Sequence, residues 1–399
     1  MKKIIVMLVL FFTSVSLVSA SEFNLSSEYV IMYNFDAKEL VYEKNIDQRV
    51  PIASLTKLFT VYFSIVNIEN VNEKVLITHE MLSGLAAANA SVVGLRVGDQ
   101  VTYLDLLYAS MLPSGADATK ALAITLFGSE EKFASELSKY VQKLGLINTN
   151  FVNGSGLHHE NHYSTVKDVL NFMLIALDNP LFKQIYEARE YVMSNGIKIV
   201  STYKKINDNY NLGLDSYLLG TKTGYTNESG VCLASMAKMN GNTYLLITTK
   251  ALAQGSLNVN AFLDAKLLYD YVFENYNYDV LYKTDYLISN IDIEYGKNDS
   301  YKINLLNDYY HLIKKDADYK LEYQGLTNIS LLDYKVNSKI GVISIKENDV
   351  VIYSEDVFLD AVSISLLGYL IINKWLILTV IIIIAFIIVR RNKNESRKI

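Results

Sequence analysis

Two apolar runs at opposite ends of the chain mark off the section between them, which must bury its own core. Near the start, Lys2 and Lys3 precede the apolar run Ile4–Phe12, and small or polar residues lead on to Val18-Ser19-Ala20. A charged start, a short apolar centre and small residues before a cleavage point describe a secretory leader over residues 1–20, cut after Ala20. The run is short for a spanning helix, and an uncleaved anchor is the alternative. Near the other end, Leu366–Ile372 and Trp375–Val389 are apolar, separated only by Asn373-Lys374. Together they predict a transmembrane helix over 366–389, with Lys374 snorkelling and Trp375 at the interface. Arg390, Arg391, Lys393, Arg397 and Lys398 then predict a basic cytoplasmic tail over 390–399. The chain is thus expected in the cell membrane, spanning once, with its bulk extracytoplasmic.

The whole chain has 399 residues and a net charge of −5, but the two ends hold seven cations and one acid, leaving −11 for residues 21–389. That acidic section is not expected to bind nucleic acid, and an anionic substrate would have to be held by a few local cations. Hydrophobic residues at 51% and charged residues at 20% exclude wholesale disorder. A single cysteine, Cys232, excludes an intrachain disulfide framework and a cysteine-rich zinc site, and it reads as a buried, inert thiol.

Apolar segments at Tyr29–Tyr33 and Leu40–Tyr42 predict a β-hairpin. Leu55–Ile68 is apolar on nearly every face and predicts a central helix buried all round. Thr102 with Asp105 forms a capping-box signal for a helix over Tyr103–Met111. Pro113-Ser114-Gly115 breaks it before a helix over Ala118–Phe127, and Ser129 caps another that Gly145 ends. Asn153–Ser164 reads as loop. Val231–Met239 and Tyr244–Thr249 flank Asn240-Gly241-Asn242, a strong hairpin signal, and a helix is expected over Ala261–Tyr276. From residue 277 short alternating segments dominate, including Ser300–Leu306, Lys335–Ile345 and Asp349–Ser354. They predict a small β-rich domain over 277–360, after a main domain over 21–276.

Three constellations carry candidate chemistry. In Ser54-Leu55-Thr56-Lys57 the hydroxyl and the ammonium share one face of a helix start. Burial against an apolar helix should depress the lysine pKa and let it accept the serine proton. Taken alone, an N-cap serine and a surface lysine explain the same letters. In Gly220-Thr221-Lys222-Thr223-Gly224-Tyr225, a cation, a hydroxyl and a glycine suit an extended substrate ending in a carboxylate. Alone, this is a glycine turn entering a strand. In Pro113-Ser114-Gly115, Ser114 either relays a proton or caps the next helix. His158 and His162 are four apart, but the glycines around them predict loop rather than a helical metal pair, and no metal is expected.

Taken together and in this order, Ser54…Lys57, Ser114 and Lys222-Thr223-Gly224 resemble the motifs of penicillin-binding proteins and serine β-lactamases. The chain resembles most the low-molecular-mass penicillin-binding proteins, the D-alanyl-D-alanine carboxypeptidases of peptidase family S11. The likeness extends to Gly94-Leu95-Arg96-Val97-Gly98-Asp99, Leu106-Leu107-Tyr108, Asn153-Gly154-Ser155-Gly156-Leu157, Ser164-Thr165 and Asp168, and more weakly to the β-rich region. The resemblance implies an α/β (α+β) transpeptidase fold, with a five-stranded antiparallel sheet between helices, then a small β-sandwich. It implies Ser54 as nucleophile, Lys57 as general base and Ser114 as proton relay. Lys222, Thr223, Gly224 and Tyr225 would bind substrate, with the backbone N–H groups of Ser54 and Tyr225 as oxyanion hole. The substrate would be a peptidoglycan stem peptide ending in D-Ala-D-Ala, β-lactams would inhibit covalently, and no cofactor would be needed. The chain departs from the family in Ala116, where an asparagine is usual, in Tyr225, where histidine is frequent, and in having no arginine in 251–266, which only Lys250 and Lys266 adjoin. A β-lactamase-like hydrolase and a catalytically impaired wall-binding protein stay open as alternatives.

Overall fold

The computed structural model describes residues 23–253, 259–360 and 362–395, with side chains as far as Arg390. The leader expected over 1–20 and the last four residues of the basic tail lie outside the described residues. Contacts part the chain between Asn277 and Tyr278 into two units.

The unit ending at Asn277 is built on a five-stranded antiparallel sheet. Its strands run in the order Glu39–Lys44, Tyr29–Asn34, Asn242–Ala251, Gly230–Met239 and Leu218–Thr226. The hairpin at Asn240-Gly241 turns on two residues with φ of 51° and 83°, the left-handed pair that an Asn-Gly turn supplies. Asn242 already belongs to the returning strand, which runs on to Ala251, so Lys250 lies inside a strand rather than beyond its end.

Helix Thr56–Ile65 is the central helix, ending three residues before its apolar run does and preceded by a 3-10 turn over Ala53–Leu55. It is buried on nearly every side, with Leu58, Phe59 and Val61 excluded from solvent. Phe59 stacks on Phe172 with ring centroids 3.9 Å apart. Helix Tyr103–Met111 starts on the expected box: the Asp105 N–H donates to Thr102 Oγ1 at 3.1 Å, and the Thr102 N–H donates to Asp105 Oδ2 at 2.8 Å. The next helix begins at Ala116, two residues early. Gly115 occupies its N-cap, so Ser114 does not cap it and its hydroxyl is left for other work.

From Tyr278 on, two three-stranded sheets share one apolar core. One sheet joins Ser300–Asn304, Leu287–Glu294 and Asn328–Ser330; the other joins Tyr319–Gly325, Lys339–Glu347 and Val350–Phe358. Ile291, Ile303, Ile329, Ile340 and Ile343 fill the core. The strand expected from Lys335 starts only at Lys339, because Asn337 takes a φ of 67° and the Ser338 N–H turns back to the Lys335 carbonyl.

The stretch expected as one transmembrane helix over 366–389 is broken. Helices Leu366–Ile372 and Lys374–Arg390 meet at 77°, and among the described residues no single helix is long and apolar enough to cross a membrane. The break sits at Asn373, whose side-chain amide donates to the Tyr369 carbonyl at 2.9 Å while its own carbonyl starts the next helix by accepting from the Ile377 N–H. By length and composition the pair together passes as a bent span.

Candidate active site

Ser54 lies in the 3-10 turn that leads into the central helix. The turn starts at Ala53 with φ of 44°, a conformation that non-glycine residues seldom hold without support. Support comes from three directions. Edge strand Leu218–Thr226 lies close alongside, and a Cβ on Gly224 would stand 2.7 Å from the Ser54 nitrogen. From behind, Gly156 passes so near that a Cβ there would meet the Ala53 carbonyl oxygen at 1.9 Å, and its φ of 84° is itself left-handed. Finally, the Thr56 hydroxyl donates to the Ala53 carbonyl at 2.8 Å and contacts His162 Nε2 at 2.8 Å.

The Val152 N–H donates to His162 Nδ1 at 3.2 Å, so the ring carries its proton on Nε2 and donates to Thr56. Burial, with the charges of His159, His158 and Lys57, lowers the His162 pKa to about 4. His162 therefore serves as a neutral strut beneath the serine turn. His158 stands apart, exposed, 3.9 Å from Glu228.

Lys57, one helical turn beyond Ser54, places Nζ 2.9 Å from Ser54 Oγ and donates to the Ser155 carbonyl at 2.6 Å. It is 2% exposed. Burial lowers its pKa to about 7, against the opposing pull of Asp117 and Glu130. Near neutral pH a large fraction of the amine is then uncharged and can accept the hydroxyl proton. The Ser155 carbonyl is aimed by Asn153, whose Oδ1 accepts from the N–H groups of Ser155, Gly156 and Leu157 at 3.1, 2.7 and 3.2 Å.

Ser114 sits in the break between two helices with φ of 65°. Its neighbour Asp117 is buried and accepts from the N–H groups of Val93, Gly94 and Leu95, tying that loop to the start of the helix. Lys222 reaches Ser114 from the edge strand: Nζ donates to Ser114 Oγ at 2.9 Å and to the Thr223 carbonyl at 2.8 Å. It is 2% exposed, and burial, with the charge of Lys57, holds its pKa well below the usual lysine range. Its amine is thus committed to the serine rather than presented to solvent.

Ser54, Lys57, Ser114, Thr223, Gly224 and Tyr225 line one cleft of about 340 Å³. Lys222 lies behind the Ser114 wall, and the Tyr225 ring stands exposed at the rim. Ala116, at the position where the family usually has asparagine, also lines the cleft and puts a methyl group there. Cys232 lies opposite Gly224 on the neighbouring strand, fully buried, and burial pushes its thiol up to about 11. Lys250 ties down a turn instead of facing the cleft, donating from Nζ to the Glu228 carbonyl at 2.7 Å. Sequence reading missed Ser155 as a partner of Lys57, His162 as a strut, and Lys205, which also lines the cleft. The spacing of Ser54 and Lys57 was visible because it is local; these three are brought in from 98 or more residues away.

Comparisons with known proteins agree on one family. The sequence model of the D-alanyl-D-alanine carboxypeptidases, peptidase family S11, matches residues 16–251. D-alanyl-D-alanine carboxypeptidase DacF of Bacillus subtilis is 27% identical over 337 residues, covering 82% of this chain and 83% of the relative. The D-alanyl-D-alanine carboxypeptidase of Streptomyces sp. strain K15 is 32% identical over 51% of this chain and 74% of its own. The crystal structure of penicillin-binding protein 5 from Haemophilus influenzae superposes with a TM-score of 0.63 at 24% identity, over 86% of this chain and all of that one.

Proposed function

Because the chain belongs to the D-alanyl-D-alanine carboxypeptidase family S11, we propose a reading of how its cleft performs that activity. It is a penicillin-binding serine carboxypeptidase that removes the terminal D-alanine from peptidoglycan stem peptides. The observation that carries the residue roles is the 2.9 Å approach of a buried, easily deprotonated Lys57 to Ser54 Oγ.

Lys57 takes the hydroxyl proton as Ser54 Oγ bonds to the carbonyl carbon of the penultimate D-alanine. The N–H groups of Ser54 and Tyr225 receive the negative oxygen; donors fixed in this way contribute roughly 3–4 kcal/mol each. Gly224 permits this, since a side chain there would crowd the Ser54 nitrogen. As the C–N bond breaks, Ser114 passes a proton from the Lys57 side to the departing amine, and Lys222 holds the Ser114 hydroxyl in line. Water then attacks the Ser54 ester and gives a proton to Lys57, which returns it to Ser54 Oγ as the ester C–O bond breaks, freeing the serine and the shortened peptide. A β-lactam enters by the same first step, its opened ring remaining on Ser54.

The same proposal places this unit outside the cell membrane, with residues 1–20 as leader, 366–389 as the anchoring segment and the tail inside. The basic cluster after an apolar stretch supports this orientation, and the bend at Asn373 suits a short interfacial helix leading into a span. Mass spectrometry of a pentapeptide ending in D-Ala-D-Ala, incubated with the protein, tests the activity: shortening by one D-alanine is expected. An untouched peptide beside a protein that still binds penicillin would instead support a wall-binding role, for which Ala116 is the motive.

A further inference from the structure

The substrate proposed above ends in a carboxylate, yet the two lysines of the site's centre are poorly placed to meet it. Lys57 faces Ser54 and the Ser155 carbonyl, and Lys222 is behind the cleft wall on Ser114. The cleft nevertheless favours an anion. No aspartate or glutamate is among its described lining residues, and besides Lys57 the one cation among them is Lys205.

Lys205 is carried by helix Thr202–Tyr210, which is fixed at the side of the cleft. Ser201 caps the helix, accepting from the Lys204 N–H, and the Thr202 N–H donates to the Leu112 carbonyl at 3.0 Å. Tyr203 and Ile206 are buried, and the Arg189 guanidinium lies over the Tyr203 ring at 4.4 Å. The acids nearby are already engaged: Asp208 pairs with Lys204 at 3.3 Å, and Asp215 accepts from the Tyr203 hydroxyl and the Asn207 amide. The Lys205 ammonium is exposed and has no hydrogen-bond or ion-pair partner among the described residues. Its helix thus holds a free cation at the margin of a cleft whose unit is otherwise acidic.

We propose that Lys205 is the specificity-determining cation of this cleft and engages a carboxylate of the incoming stem peptide. The proposal rests on the carboxypeptidase reading for the identity of the ligand. Two carboxylates qualify: that of the terminal D-alanine, and one on the side chain of the third residue where that residue is a diamino acid bearing a second carboxylate.

The test is equilibrium binding by calorimetry, made in Ser54→Ala so that peptides are held without being cut. Three probes are compared: diacetyl-L-Lys-D-Ala-D-Ala, its C-terminal amide, and the counterpart with meso-diaminopimelate in place of lysine. If the terminal carboxylate is the partner, amidation weakens binding about tenfold, Lys205→Gln removes that difference and Lys205→Arg keeps it. If the side-chain carboxylate is the partner, the diaminopimelate probe binds about tenfold more tightly than the lysine probe, and Lys205→Gln removes that preference instead. The proposal is overturned if Lys205→Gln leaves both preferences intact, weakens all three probes equally, or if neither preference exists. Turnover of the same acid peptide by the wild-type protein tests the carboxypeptidase reading separately, so the two can fail independently.

Discussion

Among the described residues, the chain up to Asn277 buries Lys57, Lys222, Asp105, Asp117, Asp168, Asp264 and the neutral His162, whereas from Tyr278 on its lysine ion pairs are exposed or half-buried and its buried histidine and glutamate, His311 and Glu347, stand 3.7 Å apart. The contrast within the first unit is as sharp. Its buried acids are compensated: Asp117 accepts from several backbone N–H groups, Asp264 from Ser26 and Ser27, Asp105 from Thr102 and Ser194. Its two buried lysines have no carboxylate partner among the described residues. An isolated buried charge costs several kcal/mol, so such a group surrenders its charge instead. Both lysines sit at the serines of one cleft. Among the described residues of the second unit no lysine is buried, and the buried acid Glu347 has His311 beside it at 3.7 Å.

The largest effect expected is all or none. Ser54→Ala should abolish labelling by fluorescent penicillin, read on a gel, with the fold retained. Undiminished labelling would move the nucleophile elsewhere and dissolve the contrast between the units.

Glycine substitutions sharpen the contrast. Gly156→Ala forces a Cβ against the Ala53 carbonyl at a left-handed φ and should cost about 3 kcal/mol or more, with slowed acylation, because the strained serine turn is what moves. Gly341→Ala also collides, meeting the Tyr323 ring at 2.4 Å, but in the second unit. It should lower the melting temperature while leaving the rate of penicillin acylation unchanged. Slowed acylation in Gly341→Ala would show that the second unit shapes the site.

A smaller effect separates the strut from the surface. The His162 pKa is about 4 in the folded chain against about 6.5 when unfolded, so below pH 6.5 the unfolded state binds the extra proton. Stability should therefore fall as pH drops from 6.5 towards 4, by about 2 kcal/mol at pH 4.5, and the fall should shrink in His162→Gln, as measured by urea denaturation at several pH values. The smallest effect is expected in the second unit. Lys320 lies exposed between Asp318 and Asp349, and Lys320→Ala should leave the melting temperature unchanged within error, since such surface pairs contribute little.

What could be read from the sequence was local. Ser54 and Lys57 are one helical turn apart, Thr102 and Asp105 cap across three residues, and Asn240-Gly241 carries its own turn geometry. The five-stranded sheet and the family came from such motifs taken in order. The site's supports were hidden because they arrive from far along the chain: His162 meets Thr56 across 106 residues, and Ser155 meets Lys57 across 98. Lys205 could not be told from any surface lysine until its helix was placed beside the cleft. At Asn373 the polar interruption was visible, but whether a helix runs through it or bends depends on backbone angles that hydropathy does not encode.

The most direct test of the account is the pH dependence of the Ser54 acylation rate with benzylpenicillin. If burial makes Lys57 the base, only its neutral form reacts, and the rate should rise with pH through a limb centred at about 7. A rate that is flat from pH 5 to pH 9, or a limb near the ordinary lysine value of about 10.4, would contradict it.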